Sequence, residues 1–296
     1  MLNMRIDRNF FLSLDKPLIL DGPMGTLLIE RGVDTSSVLW SAKVLLSNPE
    51  IVKSIHIEYI KAGADIITTN TFRTNPFTLK QVNLKLTSFE LVNKAVNIAR
   101  KATSITDKKI LIAGSNAPAD DCYLTYRCLS QSELEKNHRE HIENLIESKV
   151  DFILNETFGD KEEAILVSKI CNEYLFPFAI SLLIDFELKT FFGQDLRQTL
   201  EELIAFQPVF VSLNCSRPEI ILKALNILSE YQPFCVYPNL GSVESFNTGN
   251  LVRDFSKDQL KEFLHVVINK GVKVIGVCCG GNPDDIKLIR QIVDEL

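Results

Sequence analysis

The stretch Gly271-Val272-Lys273-Val274-Ile275-Gly276-Val277-Cys278-Cys279-Gly280-Gly281-Asn282-Pro283 holds one complete structural unit. Gly271 stands where a helix should stop. Val272–Val277 is a short apolar run, the signature of a strand buried on both faces. Small and polar residues close it, and Asn282-Pro283 reads as an N-cap with proline at the first helical position. Working outward, the same order recurs. Apolar runs at Pro17–Leu20, Ala64–Ile67, Lys109–Ala113, Asp151–Leu154, Phe178–Ile184, Val209–Leu213 and Phe234–Tyr237 each end in polar or small residues.

Helical spacing fills most of the gaps. Asn48-Pro49 opens one helix, with Ile51, Ile55 and Tyr59 on one face. Ser130 with Glu133 reads as a capping box, Ser216-Arg217-Pro218 as another start, and Gly63 as a stop. Strand and helix alternating eight times imply parallel strands with right-handed crossovers, which close naturally into a (β/α)8 TIM barrel. An open doubly wound sheet is the competing reading. No linker or composition shift divides the chain, so residues 1–296 read as one domain. Two connections, Ala117–Leu129 and Gly241–Phe255, are too long for simple turns, and both leave the strand ends where barrel enzymes build their sites.

Composition agrees. The chain has 296 residues, 46% hydrophobic and 24% charged, with a net charge of −6. That suits a large buried core and excludes disorder or a disulfide miniprotein. A mildly acidic chain without a Lys/Arg run lacks the footprint of a nucleic-acid or membrane-surface binder. No apolar stretch is long enough to span a bilayer, and Met1–Asp15 has no signal-peptide layout. Seven cysteines in such a chain read as reduced thiols, which makes the cytoplasm the expected compartment.

Asp21, Asn70, Ser115, Glu156, Asp185, Cys215, Asn239, Cys278 and Cys279 all close predicted strands, and in a barrel those ends share one mouth. Cys171, Cys235, Cys122 and Cys128 fit the ordinary reading of cysteine as a small hydrophobe or loop residue. Cys215 and the pair Cys278-Cys279 differ because they terminate the sixth and eighth strands. Adjacent cysteines seldom pair with each other. Two thiolates from one strand end and one from another could instead hold zinc, leaving a fourth position open as in a catalytic site. None of the four histidines (His56, His138, His141, His265) falls at a strand end, which disfavours a Ser/His/Asp hydrolase. No Gly-x-Gly-x-x-Gly or Walker loop advertises a nucleotide site. Gly280-Gly281 could still offer backbone N–H groups to an anion.

The blocks Asp21-Gly22-Pro23-Met24-Gly25-Thr26, Ala62–Ile67 with Thr69-Asn70-Thr71-Phe72, Asn155-Glu156-Thr157-Phe158, Leu213–Ser216, Tyr237-Pro238-Asn239 and Gly276–Gly281 together resemble the homocysteine S-methyltransferase family, in family order along the chain. The resemblance implies zinc on Cys215, Cys278 and Cys279 and homocysteine bound through its thiol to the metal. It also implies that Asp21 and Glu156 take the amino group, with Asn239 near the fourth zinc position. The substrate-binding set implied is Asp21, Gly22, Thr26, Glu156, Asn239 and Trp40. Leu39-Trp40-Ser41-Ala42-Lys43 followed by Asn48-Pro49-Glu50 is most similar to the S-methylmethionine-using branch, whereas Thr69–Phe72 is closer to the cobalamin-dependent methionine synthases. A sulfonium donor, S-methylmethionine or S-adenosylmethionine, is therefore the leading expectation, with Trp40 offering its face to the cation. A separate corrinoid protein as donor and a non-catalytic zinc- or thiol-binding barrel are the alternatives.

Overall fold

The computed structural model describes residues 6–82, 84–243 and 251–296. Seven strands come first: β1 (Leu18–Ile19), β2 (Ile66–Thr68), β3 (Leu111–Asn116), β4 (Phe152–Phe158), β5 (Phe178–Leu182), β6 (Val211–Asn214) and β7 (Phe234–Tyr237). A short antiparallel hairpin, β8 (Gly241–Val243) and β9 (Leu251–Arg253), precedes β10 (Val274–Ile275). Strands β1 to β7 and β10 form one parallel sheet, in which β10 lies between β7 and β1. A parallel bridge from Leu20 to Ile66 joins the first strand to the second and closes the ring. The fold is the (β/α)8 barrel, not the open sheet.

Among the described residues the longer helices of the crossovers, with the one after the last strand, are Pro49–Ala62, Ser88–Thr103, Gln131–Glu147, Lys161–Glu173, Leu196–Ile204, Pro218–Leu228, Lys257–Asn269 and Pro283–Asp294, and shorter ones join them between β1 and β3. Ser130 and Glu133 form the expected capping box, as do Asn282 and Asp285, and Gly63 ends its helix at φ +112°. Two start signals work differently from the reading above. Asn48 occupies the cap position but makes no side-chain cap bond. At Ser216-Arg217-Pro218 the helix starts as expected, but Arg217 holds the cap position without a side-chain cap bond and the Ser216 hydroxyl is bonded to the backbone of Ile184.

Side chains alternate across each strand. Phe152 and Leu154 pack inside the barrel with Leu111, Ala113 and Cys235, while Ile153, Ile112 and Val236 face the helices. The N-terminal stretch, assigned no element from sequence, adds a plug. Asp7 caps the helix Arg8–Leu12, and fully buried Phe11 sits edge-on to Phe210 at 5.0 Å and Phe152 at 6.1 Å. Burying that ring contributes about 1.5–3 kcal/mol and seals the end of the barrel where the strands begin. Polar chemistry is thereby left to the opposite end. No helix among the described residues is long and apolar enough to cross a membrane.

Candidate active site

The inward register of the strands carries past the apolar layer and turns polar at the mouth. In β4 the inward series is Phe152, Leu154, Glu156; in β3 it is Leu111, Ala113, Ser115. Glu156 therefore lies within its strand rather than after it, since β4 runs on to Phe158 past an irregularity at Asn155. Ser115 and Glu156 line a cavity of about 500 Å³ together with Asp21, Trp40, Tyr237, Cys215, Cys278 and Cys279.

At its floor the three thiols converge. Cys215 Sγ lies 2.8 Å from Cys278 Sγ and 3.9 Å from Cys279 Sγ, and the last two are also 3.9 Å apart. Tetrahedral zinc with bonds near 2.3 Å sets its sulfurs about 3.8 Å apart. Two of the three separations match that spacing, and the Cys215–Cys278 pair needs to open by about 1 Å. All seven cysteines are free thiols, and these three form the one group of metal-ligating side chains found among the described residues. Hydrogen bonds from Cys215 and Cys278 pull the Cys279 thiol to lower pKa, whereas the hydrogen bonds to Cys278 and Cys279, with burial, raise Cys215. Such a cluster ionises fully only with a cation to share. Cys171 and Cys235 are packed away, and burial pushes the Cys171 thiol up to about 12 and raises that of Cys235 as well.

Two carboxylates face this floor. Asp21, 4% exposed, accepts hydrogen bonds from Thr68 N–H and Thr68 Oγ1, each at 2.9 Å. Burial nevertheless lifts its pKa to about 8. Glu156 accepts from the Ser115 hydroxyl and from Tyr237 OH at 3.4 Å, and burial lifts it to about 7. Neither has a cation among the described residues to balance it, which is what a site awaiting an ammonium group requires.

Local backbone strain sets the geometry. Trp40, Thr157 and Cys215 line the cavity with φ of +46°, +68° and +55°. A β-branched residue rarely adopts that region. Thr157 is held there by Asn214, whose Oδ1 accepts its N–H at 3.0 Å and whose Nδ2 donates to its hydroxyl at 2.8 Å. Neither the Asn214 clamp nor the strain was visible in the sequence. Trp40 rests on Gly25, where a Cβ would come within 2.1 Å of the indole, and lies edge-on to Phe72 at 5.8 Å. Asn70 supports this segment through both Ser41 groups, accepting from its hydroxyl at 2.6 Å and donating to its carbonyl at 3.0 Å. Its role is positional.

The other candidates divide between the cavity and the loops around it. Gly22 lines the cavity, and a Cβ there would clash with the Tyr59 ring. Thr26 and Asn239 are not among the lining residues. Thr26 Oγ1 accepts the Gly280 N–H at 3.4 Å, and Asn239 Oδ1 accepts the Gly241 N–H at 3.0 Å, so both brace loops. That contact and Gly281 N–H bonding Cys278 O occupy the amides suggested for anion binding. Asp185 holds its own turn through the N–H groups of Glu187 and Lys189. Of the two long loops, residues 244–250 lie outside the described part. The other, after β3, brings Asp120, Asp121, Cys122 and Tyr123 to the cavity, an assignment sequence spacing did not reveal. It is anchored from behind: Glu163 accepts the Ala119 N–H at 2.9 Å and pairs with buried His138 at 2.7 Å. His138, His141 and His56 are fully buried in helices and His265 is exposed on one, so none touches the site.

The match to known proteins spans this whole architecture. Residues 18–293 fit the family model described as homocysteine S-methyltransferase. The homocysteine S-methyltransferase of Escherichia coli K12 is 30% identical, with 94% of this chain and 96% of that one aligned. The selenocysteine Se-methyltransferase of Brassica oleracea var. italica is 27% identical over 92% and 88% of the two chains. The crystal structure of the E. coli homocysteine methyltransferase MmuM in its metallated form superposes with a TM-score of 0.82 at 29% identity, covering 96% of this chain and 98% of that one. With the barrel, the cysteine trio and the alignment running from the first strand to the last helix, this chain belongs to the homocysteine S-methyltransferase family.

Proposed function

We propose that this protein transfers a methyl group to the thiol of homocysteine, giving methionine, with zinc on Cys215, Cys278 and Cys279 and a small sulfonium compound as donor. The observation that carries the reading is the meeting of three thiols and two uncompensated buried carboxylates in one cavity. The sulfur spacing and the all-thiol donor set suit zinc. A solved relative is described as metallated. When bound there, zinc would hold the homocysteine sulfur as thiolate at neutral pH.

The chain's own residues do the rest. Asp21 and Glu156 receive the substrate ammonium, whose positive charge drives both carboxyls to ionise, any proton they carry passing to solvent. Ser115, Thr68 and Tyr237 fix the two carboxylates, so the amino acid is oriented before reaction. The thiolate attacks the donor methyl carbon, forming the new C–S bond. The donor's own C–S bond breaks with its electron pair staying on the donor sulfur, which becomes a neutral thioether. Trp40 and Phe72 present aromatic surface to the cation, worth roughly 0.5–2 kcal/mol, and exclude water. No general base is required, because the acceptor reacts as thiolate.

S-methylmethionine and S-adenosylmethionine are the proposed donors, and we take residues 1–296 as a single catalytic domain. Thiol ligands need a reducing setting, which the cytoplasm supplies. The test is methionine formation from homocysteine by zinc-loaded protein with S-methylmethionine, S-adenosylmethionine or a methylcorrinoid offered separately. Turnover with a sulfonium is expected. Turnover with the corrinoid alone would replace the donor, and none with any donor would leave a thiol-binding barrel.

A further inference from the structure

The cavity has an outer half that the acceptor does not account for. Homocysteine is tied to the inner half by the cysteines, Asp21 and Glu156. The rest of the lining includes Trp40, Phe72, Arg73 and the loop carrying Asp120, Asp121 and Tyr123. Among the described lining residues Arg73 is the sole basic side chain, against four carboxylates at Asp21, Asp120, Asp121 and Glu156. Of the charged side chains lining the cavity, Arg73 alone attracts a carboxylate.

Arg73 is set up to receive one. Its guanidinium lies over the Phe72 ring, 5.4 Å from the centroid, and Nη1 donates to the Asp120 carbonyl at 2.6 Å. Those contacts fix the plane of the group but neutralise none of its charge. It makes no ion pair among the described residues, unlike Arg127, which pairs with Asp160 nearby. Phe72 in turn lies edge-on to Trp40 at 5.8 Å. Guanidinium, Phe72 and Trp40 therefore follow one another along the wall. In a sulfonium amino acid, four covalent bonds separate the carboxyl carbon from the sulfur, a reach of about 5 Å when extended. A carboxylate at Arg73 sets the sulfonium against the Phe72–Trp40 pair, facing the inner half.

We propose that Arg73 binds the α-carboxylate of the methyl donor, making the outer half of the cavity a second amino-acid subsite that selects sulfonium donors bearing that group. This rests on the sulfonium reading above and narrows it. A methylcorrinoid has no such carboxylate to offer, and a simple trialkylsulfonium lacks it too.

The experiment compares S-methyl-L-methionine with its primary carboxamide, which keeps the sulfonium and ammonium and loses only the negative charge. Both are tested on zinc-loaded wild-type, Arg73→Gln and Arg73→Lys proteins, with homocysteine KM measured in parallel. Wild type should use the carboxamide about 10- to 100-fold less efficiently, the range of one charge-assisted pair. Arg73→Gln should lose the same factor with S-methylmethionine, lose little more with the carboxamide, and leave the homocysteine KM in place. Arg73→Lys should recover part of the discrimination, since it restores charge without the planar fork. Retained carboxamide turnover in Arg73→Gln shows that the variant is folded. Equal losses with both donors, or a raised homocysteine KM with the donor KM unmoved, would overturn the assignment. If wild type turns over S-methylmethionine normally and Arg73→Gln does so equally well, the subsite is wrong while the donor reading stands. If wild type uses no sulfonium at all, both fall.

Discussion

Replacing Asp21 by Asn should make the free protein more stable and the enzyme nearly inert. The carboxyl is 4% exposed, and burial raises its pKa from 3.8 to about 8. An unfolded chain releases that proton near pH 4, whereas the native site holds it to about pH 8. Between those values the unfolded state binds fewer protons, so wild-type stability falls as pH rises. At pH 7 the interval is about three pH units at 1.36 kcal/mol each, a ceiling of about 4 kcal/mol. Asn keeps the volume and still accepts the Thr68 N–H bond, and its amide can donate to the Thr68 hydroxyl. Allowing about 1 kcal/mol for poorer hydrogen bonds leaves a gain of about 2–3 kcal/mol. For a chain of this length that corresponds to a rise in Tm of about 3–5 °C.

Thermal unfolding of both proteins between pH 4.5 and 8, with and without homocysteine, reads this out. The advantage of Asp21→Asn should be small at pH 4.5 and grow toward pH 8. Homocysteine should raise the Tm of wild type and leave the variant nearly unmoved, because the ammonium then lacks its counter-charge. A variant less stable than wild type by the same amount at every pH would refute the reasoning. It would mean that Asp21 is a satisfied structural group.

Three further outcomes follow from the same geometry. The Cys278→Ala, Cys279→Ala double variant should retain no stoichiometric zinc after dialysis against a weak chelator, while Cys171→Ala, buried behind the barrel, keeps about one equivalent by elemental analysis. Glu156→Gln should raise the homocysteine dissociation constant at least about tenfold, the scale of a charge-assisted hydrogen bond, with metal content unchanged; equal affinity in calorimetry would return Glu156 to a structural role. Gly25→Ala places a methyl 2.1 Å from the Trp40 ring and should displace the indole, shifting the emission of the only tryptophan and raising the KM for a sulfonium donor several-fold with homocysteine affinity intact.

Much of this was legible in the chain. The alternation of apolar runs with capped helical segments is local information, and eight repeats of it leave few closed solutions, so all eight strands lie where the runs are. The cysteines were conspicuous because they end strands, and their meeting follows from closure: β6 and β10 both flank β7, which sets Cys215 beside Cys278 and Cys279. Glu156 could have been placed from strand parity, being two residues beyond inward Leu154. The sequence left open which partner a short polar side chain takes. Asn239 and Thr26 look like ligand-facing residues in the sequence, yet each bonds a loop amide instead. Nothing in the order of residues says which partner a carboxamide or hydroxyl will take, because that depends on loops arriving from elsewhere.

Sequence alone therefore determined the barrel, since period and spacing are properties of neighbouring residues, and it marked the cysteine trio at strand ends, whereas Asp21 and Glu156 were singled out from the other strand-end residues by family resemblance. The tertiary structure decided what surrounds them. Phe11 seals the lower end against strands more than 140 positions away, Asn214 clamps Thr157 across 57 positions, and the loop after β3 lays Asp120 against Arg73 across 47. Only burial, which no residue possesses by itself, turns Asp21 and Glu156 from ordinary acids into carboxyls that hold their protons near neutrality.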